Sequence, residues 1–309
     1  MSAARLEVAD ALRAFALVGI LQVNVQSFVW GAGDPLGFPS GSPGAAETIA
    51  YLAVATLVSL KFLSIFALLF GFGVATQWRA LRRRGGVQAA RAALARRMLF
   101  LLALGVAHGA LLYYGDILAA YALGGILLLF YVGRRPTALL VATRRWWLAF
   151  GLLTVAGTVL FEALRLAVPP EGDPARIPDW ALERLEVYTQ GGFGEQIGMR
   201  VADFGSVLAS TLTLGLPQLM ALFLLGALAA RRGWLARPQR HARLWRAATW
   251  IGAAALPLAA IGAWLNFVTM RDAPGDPSAI GYAFVNAGSL AALLYVAAFV
   301  RGRARPGIG

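Results

Sequence analysis

Two polar residues stand in the first apolar stretch of the chain, Arg13 and Asn24, and their eleven-residue spacing gives them a common direction. At 100° per residue they lie about 20° past three turns of an α-helix, so both project from one face, roughly 16 Å apart along the axis. An ionisable group near the centre of a bilayer costs at least a few kcal/mol, which makes such a stripe a functional site by default. Arg97 repeats the spacing, with His108 eleven residues beyond it. If the two segments pack side by side in one direction, Asn24 and His108 reach similar depths. A neutral imidazole is the usual general base near physiological pH; the alternative for His108 is a packed, hydrogen-bonded core residue. Asp116 follows after Tyr113-Tyr114-Gly115, which reads as a tight turn into the next helix. Its carboxylate either caps that helix or turns back to orient His108 and stabilise the charged imidazole.

Lys61 is the one lysine among 28 basic side chains, set in the apolar run Leu57-Val58-Ser59-Leu60-Lys61-Phe62-Leu63-Ser64-Ile65-Phe66. A compact ammonium at such a place needs a partner. Either it snorkels to water or pairs structurally with Asp10, or it faces a cavity as a functional cation. Gly71 and Gly73 further along the same run permit close approach of a helix or a ligand.

The elements that hold these residues follow from composition. With 59% hydrophobic and 14% charged residues and a mean hydropathy of +0.66, the chain cannot cover a water-exposed body, and an all-α polytopic membrane protein is expected. A net charge of +13 would suit nucleic acid, but the arginines fall in particular gaps between apolar runs and do not form a basic domain, so no nucleic-acid partner is expected. There is no cysteine and there are two histidines, so neither a disulfide framework nor a metal centre is expected.

Eight runs are long enough to cross a hydrocarbon core of about 30 Å: 11–31, 50–78, 98–114, 116–132, 146–167, 206–230, 247–268 and 279–300. The gaps 79–97, 133–145 and 231–246 and the tail from Arg301 carry most of the arginine, including Arg82, Arg83, Arg84, Arg134, Arg135, Arg144, Arg145, Arg231 and Arg305. The positive-inside rule therefore places these loops and both termini in the cytoplasm. The first run is read as a span and not as a cleaved leader, since Glu7 and Asp10 precede it and Asn24, Gln26 and Trp30 follow its apolar stretch. The whole chain, 1–309, is read as one integral membrane domain. Within its outer segment 168–205, Trp180, Leu182, Leu185 and Val187 have helical spacing over Pro178 to Gln190. That segment is either an amphipathic helix on the membrane surface or a solvated connector.

Three blocks of sequence carry a resemblance: Asp10-Ala11-Leu12-Arg13 through Asn24, Lys61-Phe62-Leu63-Ser64-Ile65-Phe66 through Gly71-Phe72-Gly73, and Gly105 through His108-Gly109 to Gly115-Asp116-Ile117-Leu118-Ala119-Ala120-Tyr121-Ala122. With them the chain resembles the YeiB family of bacterial inner-membrane proteins. Tyr188, Gly192, Arg200, Gly226 and Gly233-Trp234-Leu235 agree more loosely. Family members usually continue into further C-terminal spans with a Gly-Arg and a Thr-Asn-Tyr signature, against which this chain looks shortened after Val300.

The family is in turn similar to transmembrane acyltransferases, among them the bacterial O-acyltransferases and the lysosomal heparan-glucosaminide N-acetyltransferase. The former carry arginine, ten residues, then histidine in an early span; the latter has asparagine at the second position, as Arg13 and Asn24 do here. By this analogy the resemblance implies an acyl group passing from cytoplasmic acyl-CoA, a donor and not a tightly bound cofactor, to an envelope glycan or lipid. His108 with Asp116 would act as base and Asn24 as oxyanion donor. Arg13, Lys61, Arg97, Tyr121 and Arg200 would contact substrate, and Arg82, Arg83 and Arg84 the CoA phosphates. The alternatives are a proton-coupled or anionic-solute carrier lined by Asp10, Arg13, Lys61, His108 and Asp116, or a non-catalytic scaffold.

Overall fold

The computed structural model describes residues 3–29, 43–167, 177–273 and 278–303. Trp30, the 168–176 part of the outer segment and Arg305 lie outside them. All regular structure among the described residues is helical, and six helical stretches are long and apolar enough to cross a membrane. The protein is an all-α, multi-pass membrane protein. In chain order the helices are α1 (Ala3–Val29), α2 (Ala45–Leu57), α3 (Lys61–Leu111), α4 (Leu118–Leu128), α5 (Pro136–Ala167), α6 (Asp179–Gln190), α7 (Phe193–Ser210), α8 (Leu216–Arg232), α9 (Ala242–Asp272), α10 (Ala279–Ala287) and α11 (Ala292–Arg303). A π turn, Thr211–Gly215, joins α7 to α8, and a 3-10 turn, Gly288–Ala291, joins α10 to α11.

The helices fall into two compact units. The first comprises Met1–Ile65, Thr154–Gly191 and Pro238–Gly309, the second Phe66–Leu153 and Gly192–Arg237. In the first unit α1 buries the stripe Ala9, Leu12 and Ala16, a 3–4 spacing that turns one face inward. The ring of Phe62 occupies the space that a side chain at Gly19 would need, and Phe15 lies tilted against Phe62 at 4.9 Å and stacked on Phe299 at 6.4 Å. Around α9 a second cluster forms from Tyr51, Ala55, Ala263, Phe267 and Met270. The amphipathic segment is a helix, α6, with Pro178 at its N-cap and no buried residue.

In the second unit, backbone meets backbone where α3 crosses α8. A Cβ at Gly71 would strike the Phe223 carbonyl, and one at Gly226 the Leu68 carbonyl. These small residues let the two helices approach as closely as membrane helices do.

Two sequence expectations need correcting. The run 50–78 is not one helix: α2 ends at Leu57 and α3 begins at Lys61, with Leu60 between them in the left-handed region at φ 63°. A bulky side chain avoids that conformation at a cost of about 1–3 kcal/mol, so the surroundings hold it there. The arginine-rich gap 79–97 is not a loop. Helix runs through it apart from Gly86, at φ 78° and ψ −174°. Arg97 donates to the Gln77 side chain at 2.5 Å across twenty residues, which would lie about 30 Å apart in a straight helix. The two arms, 61–85 and 87–111, therefore form a hairpin turning at one glycine.

Other bounds shift less. Helix α5 starts ten residues before the expected 146, and the short α4 winds on in tight turns through Val132.

Gly86 and Gly151 both have open space where a Cβ would stand, but only Gly86 has positive φ. Gly86→Ala is expected to lower stability by about 1–3 kcal/mol, whereas Gly151→Ala, in a helix interior, raises it by about 0.5–1 kcal/mol. Thermal or denaturant unfolding in detergent compares the two directly.

Candidate functional site

At the end of the second arm of α3, the turn through Tyr113-Tyr114-Gly115 brings Asp116 back beside His108. The Nδ1 of His108 lies 3.0 Å from Oδ1 of Asp116, and the other carboxylate oxygen accepts the Ala119 amide at 2.9 Å. Each oxygen of Asp116 thus meets one of the two partners that the sequence offered it, the start of α4 and the ring of His108. Asp116 caps α4 from one position ahead of its N-cap and is 1% exposed, while the His108 side chain is 36% exposed. Paired with an ionised carboxylate, which only accepts, a neutral His108 would carry its proton on Nδ1 and its lone pair on Nε2, the tautomer a general base requires.

Close packing fixes this geometry. A Cβ at Gly105 would strike the backbone of Ala119, and one at Gly109 the ring of Phe204, so α4 and α7 both lie against the end of α3. From α7, Arg200 Nη1 donates to the Leu111 carbonyl at 2.8 Å, a cation on the exposed C-terminal carbonyls of a helix. One turn beyond it Asp203 is buried. The sequence reading missed Asp203, although a lone acidic residue in Val201-Ala202-Asp203-Phe204 was the signal. It missed Gln77 as well.

Other expected site residues lie elsewhere. Tyr121 is buried among aromatic rings, 5.7 Å from Phe66, 5.3 Å from Phe70 and 5.2 Å from Phe223. Arg97, exposed on the same arm as His108, is about 16 Å from it along the axis, and Arg82, Arg83 and Arg84 at the hairpin tip are about 33 Å away. Arg13 pairs with Asp10 one turn earlier on α1. That helix is continuous, so Arg13 and the half-buried Asn24 do share a face, but they belong to the first unit and His108 to the second.

Lys61 is 0% exposed and does not pair with Asp10. Its Nζ donates to the Ala55 carbonyl at 3.0 Å, and a Cβ at Gly288 would lie 3.2 Å from it. Tyr295 donates to the Leu57 carbonyl at 2.8 Å. Both carbonyls belong to the last turn of α2, where the break at 58–60 leaves them without intrahelical donors. Lys61 and Tyr295 together close the end of α2.

Over 234 residues, 73% of its length, the chain is 31% identical to the Uncharacterized protein YeiB of Escherichia coli (strain K12). The chain belongs to the YeiB family. It is also 28% identical over 266 residues, 80% of its length, to a second relative, the Uncharacterized protein YxaH of Bacillus subtilis (strain 168). The alignments take in 56% of YeiB and 64% of YxaH, so the chain spans under two thirds of either relative. No family model and no solved structure matches it. The name of neither relative carries an activity.

Two sets of substitutions check the contacts of Asp116 and Lys61. Asp116→Asn keeps an oxygen for the Ala119 amide and should retain most of the stability, whereas Asp116→Ala removes the cap and should cost about 1 kcal/mol more. Lys61→Met leaves the Ala55 carbonyl without its donor and should cost about 1–3 kcal/mol. Unfolding in detergent, scored against wild type, measures both.

Proposed function

We propose that this protein is a membrane-embedded acyltransferase in which His108 is the general base. The observation that carries the reading is the His108–Asp116 pair, 3.0 Å apart, with the carboxylate buried and fixed by α4 while the imidazole remains partly exposed. In the reaction, Nε2 takes the proton of an acceptor hydroxyl or amine as that group attacks the thioester carbon of acyl-CoA. The C–S bond breaks as the tetrahedral intermediate collapses, and the proton returns from the imidazolium to the leaving CoA thiolate. Asp116 holds the imidazole in orientation and stabilises the imidazolium that forms.

The distances along α3 sort the arginines. Arg97, about 16 Å from His108, is placed to meet a CoA phosphate while the pantetheine arm carries the thioester toward the base. Arg82, Arg83 and Arg84, at the far end of the hairpin, supply a positive field that draws the donor in. On the positive-inside rule that end is cytoplasmic and His108 is near the outer face, which suits an envelope glycan or lipid acceptor in a bacterial inner membrane. The carrier reading leaned on Lys61 as a path-lining cation. Its burial and its bond to Ala55 favour a structural role instead.

The test is release of CoA thiol from acyl-CoA by the protein in nanodiscs supplied with envelope lipid and glycan extract. The chain has no cysteine, so a thiol reagent reads only the product. Turnover should fall by about 10²–10⁴-fold in His108→Ala, with acyl-CoA binding retained. Turnover unchanged in His108→Ala, or no thiol release by the wild type with any extract fraction, would overturn the reading.

A further inference from the structure

The second unit carries a groove that the catalytic reading does not use. It runs along the first turns of α5, has a volume of about 680 Å³, and is lined by Tyr131, Arg134, Val141, Arg145, Trp146 and Ala149 with small residues between them. No acidic residue lines it. Along α5 the lining positions 138, 142, 145 and 149 recur at intervals of four, three and four, which is one helical stripe. The neighbouring stripe, Leu139, Thr143 and Phe150, is buried, so the groove lies on the flank of the packed face.

Its depth in the membrane follows from length. Helix α5 has 32 residues, about 48 Å, against a hydrocarbon core of about 30 Å. About twelve residues must lie outside that core, and the sequence marks where: Arg144 and Arg145 are followed directly by Trp146 and Trp147, the pattern of an interfacial belt. Beyond it Leu148, Leu152, Val155, Val159 and Leu160 are exposed and apolar. The groove therefore straddles the boundary, with its cations on the headgroup side and Ala149 on the acyl side. Arg134 is held in place, its Nε donating to the Phe130 carbonyl at 3.2 Å and its guanidinium 5.1 Å over the Tyr131 ring. Arg145 is exposed and, among the described residues, has no carboxylate partner.

We propose that this groove binds one anionic phospholipid, its phosphodiester held between Arg134 and Arg145 and its upper acyl chain laid on Trp146 and Ala149. Two guanidiniums without a carboxylate are opposite in sign to a phosphodiester and both can donate to its oxygens. The apolar wall and the interfacial depth select a lipid over a soluble anion. The site is independent of His108 and does not require the protein to be an enzyme.

The experiment is tryptophan quenching in phosphatidylcholine vesicles containing a minor fraction of acyl-brominated phosphatidylglycerol or, in parallel, acyl-brominated phosphatidylcholine. The wild type should be quenched more by the anionic lipid, with a local enrichment of roughly fivefold per arginine. That excess should disappear in Trp146→Phe, which locates the signal, and in Arg134→Gln/Arg145→Gln. Arg145→Gln alone should reduce it, and gives the same reading if the double variant folds poorly. Equal quenching of the wild type by the two lipids, or an excess that survives the arginine substitutions or Trp146→Phe, would overturn the proposal. So would loss of the excess on adding soluble acyl-CoA, which would make the groove a donor site, whereas an excess unchanged by acyl-CoA or inorganic phosphate supports the lipid.

Discussion

A helix that breaks inside a bilayer finds no water for its open amides and carbonyls, and each unsatisfied group costs several kcal/mol. Much of the polar chemistry of this chain answers that constraint. The end of α2 is closed by Lys61 and Tyr295 on the carbonyls of Ala55 and Leu57. The end of α3 receives Arg200 on the Leu111 carbonyl, and the start of α4 receives the Asp116 carboxylate on the Ala119 amide. The same device recurs near the arginine-rich end, where Arg231 donates to the Arg134 carbonyl and Arg134 to that of Phe130. A buried ionisable residue in a membrane protein is commonly read as a functional site. Here helix ends account for two of the three buried acidic or basic side chains among the described residues, Lys61 and Asp116, the third being Asp203.

That accounting singles out His108. Lys61 and Arg200 each hold a backbone carbonyl, Arg13 has Asp10 beside it, and Arg97 has Gln77. Among the described residues the imidazole is held from one side only, by a carboxylate that is itself anchored. Asp116 thereby couples structure to chemistry: the oxygen that starts α4 and the oxygen that sets the imidazole belong to one rigid group. Any shift of α4 along α3 moves the imidazole. The glycine at 105, which admits the backbone of Ala119, is thus a positioning element for His108 although it has no side chain.

The apolar runs and the His108–Asp116 proximity were legible in the sequence because both are local. Hydrophobic length marks a span whatever it packs against, and an eight-residue separation through a short turn leaves few places for a carboxylate to go. The hairpin at Gly86 was not legible. Arg79 to Arg97 is rich in helix formers, and a reversal needing one residue of positive φ leaves a single glycine as its trace, next to another glycine that is helical. The break at 58–60 was hidden for the opposite reason. Leu60 has no intrinsic preference for φ 63°, so tertiary contacts impose the turn, and the partner that Lys61 needs could not be named from sequence because its acceptor exists only once α2 has ended. Arg200 and Tyr121 depend on helices that meet far apart in sequence, which periodicity cannot pair.

The hairpin also constrains where chemistry can begin and end. One arm of α3 carries arginine at its turn and histidine at its far end, and a straight helix of that length keeps the two apart by most of the thickness of a hydrocarbon core. A single small substrate could not bridge such a gap between the arginines and the imidazole. A protein whose two reactants approach from opposite faces of a bilayer requires such a separation. In the acyltransferase proposed above, the same geometry would set a demand on the donor: the acyl group would be carried inward on a flexible arm while its anionic head stays at the arginine end. Arg97, roughly halfway along, is the position from which such an arm could reach His108 without the charged head entering the apolar core, and its hydrogen bond to Gln77 ties that position to the opposite arm of the hairpin.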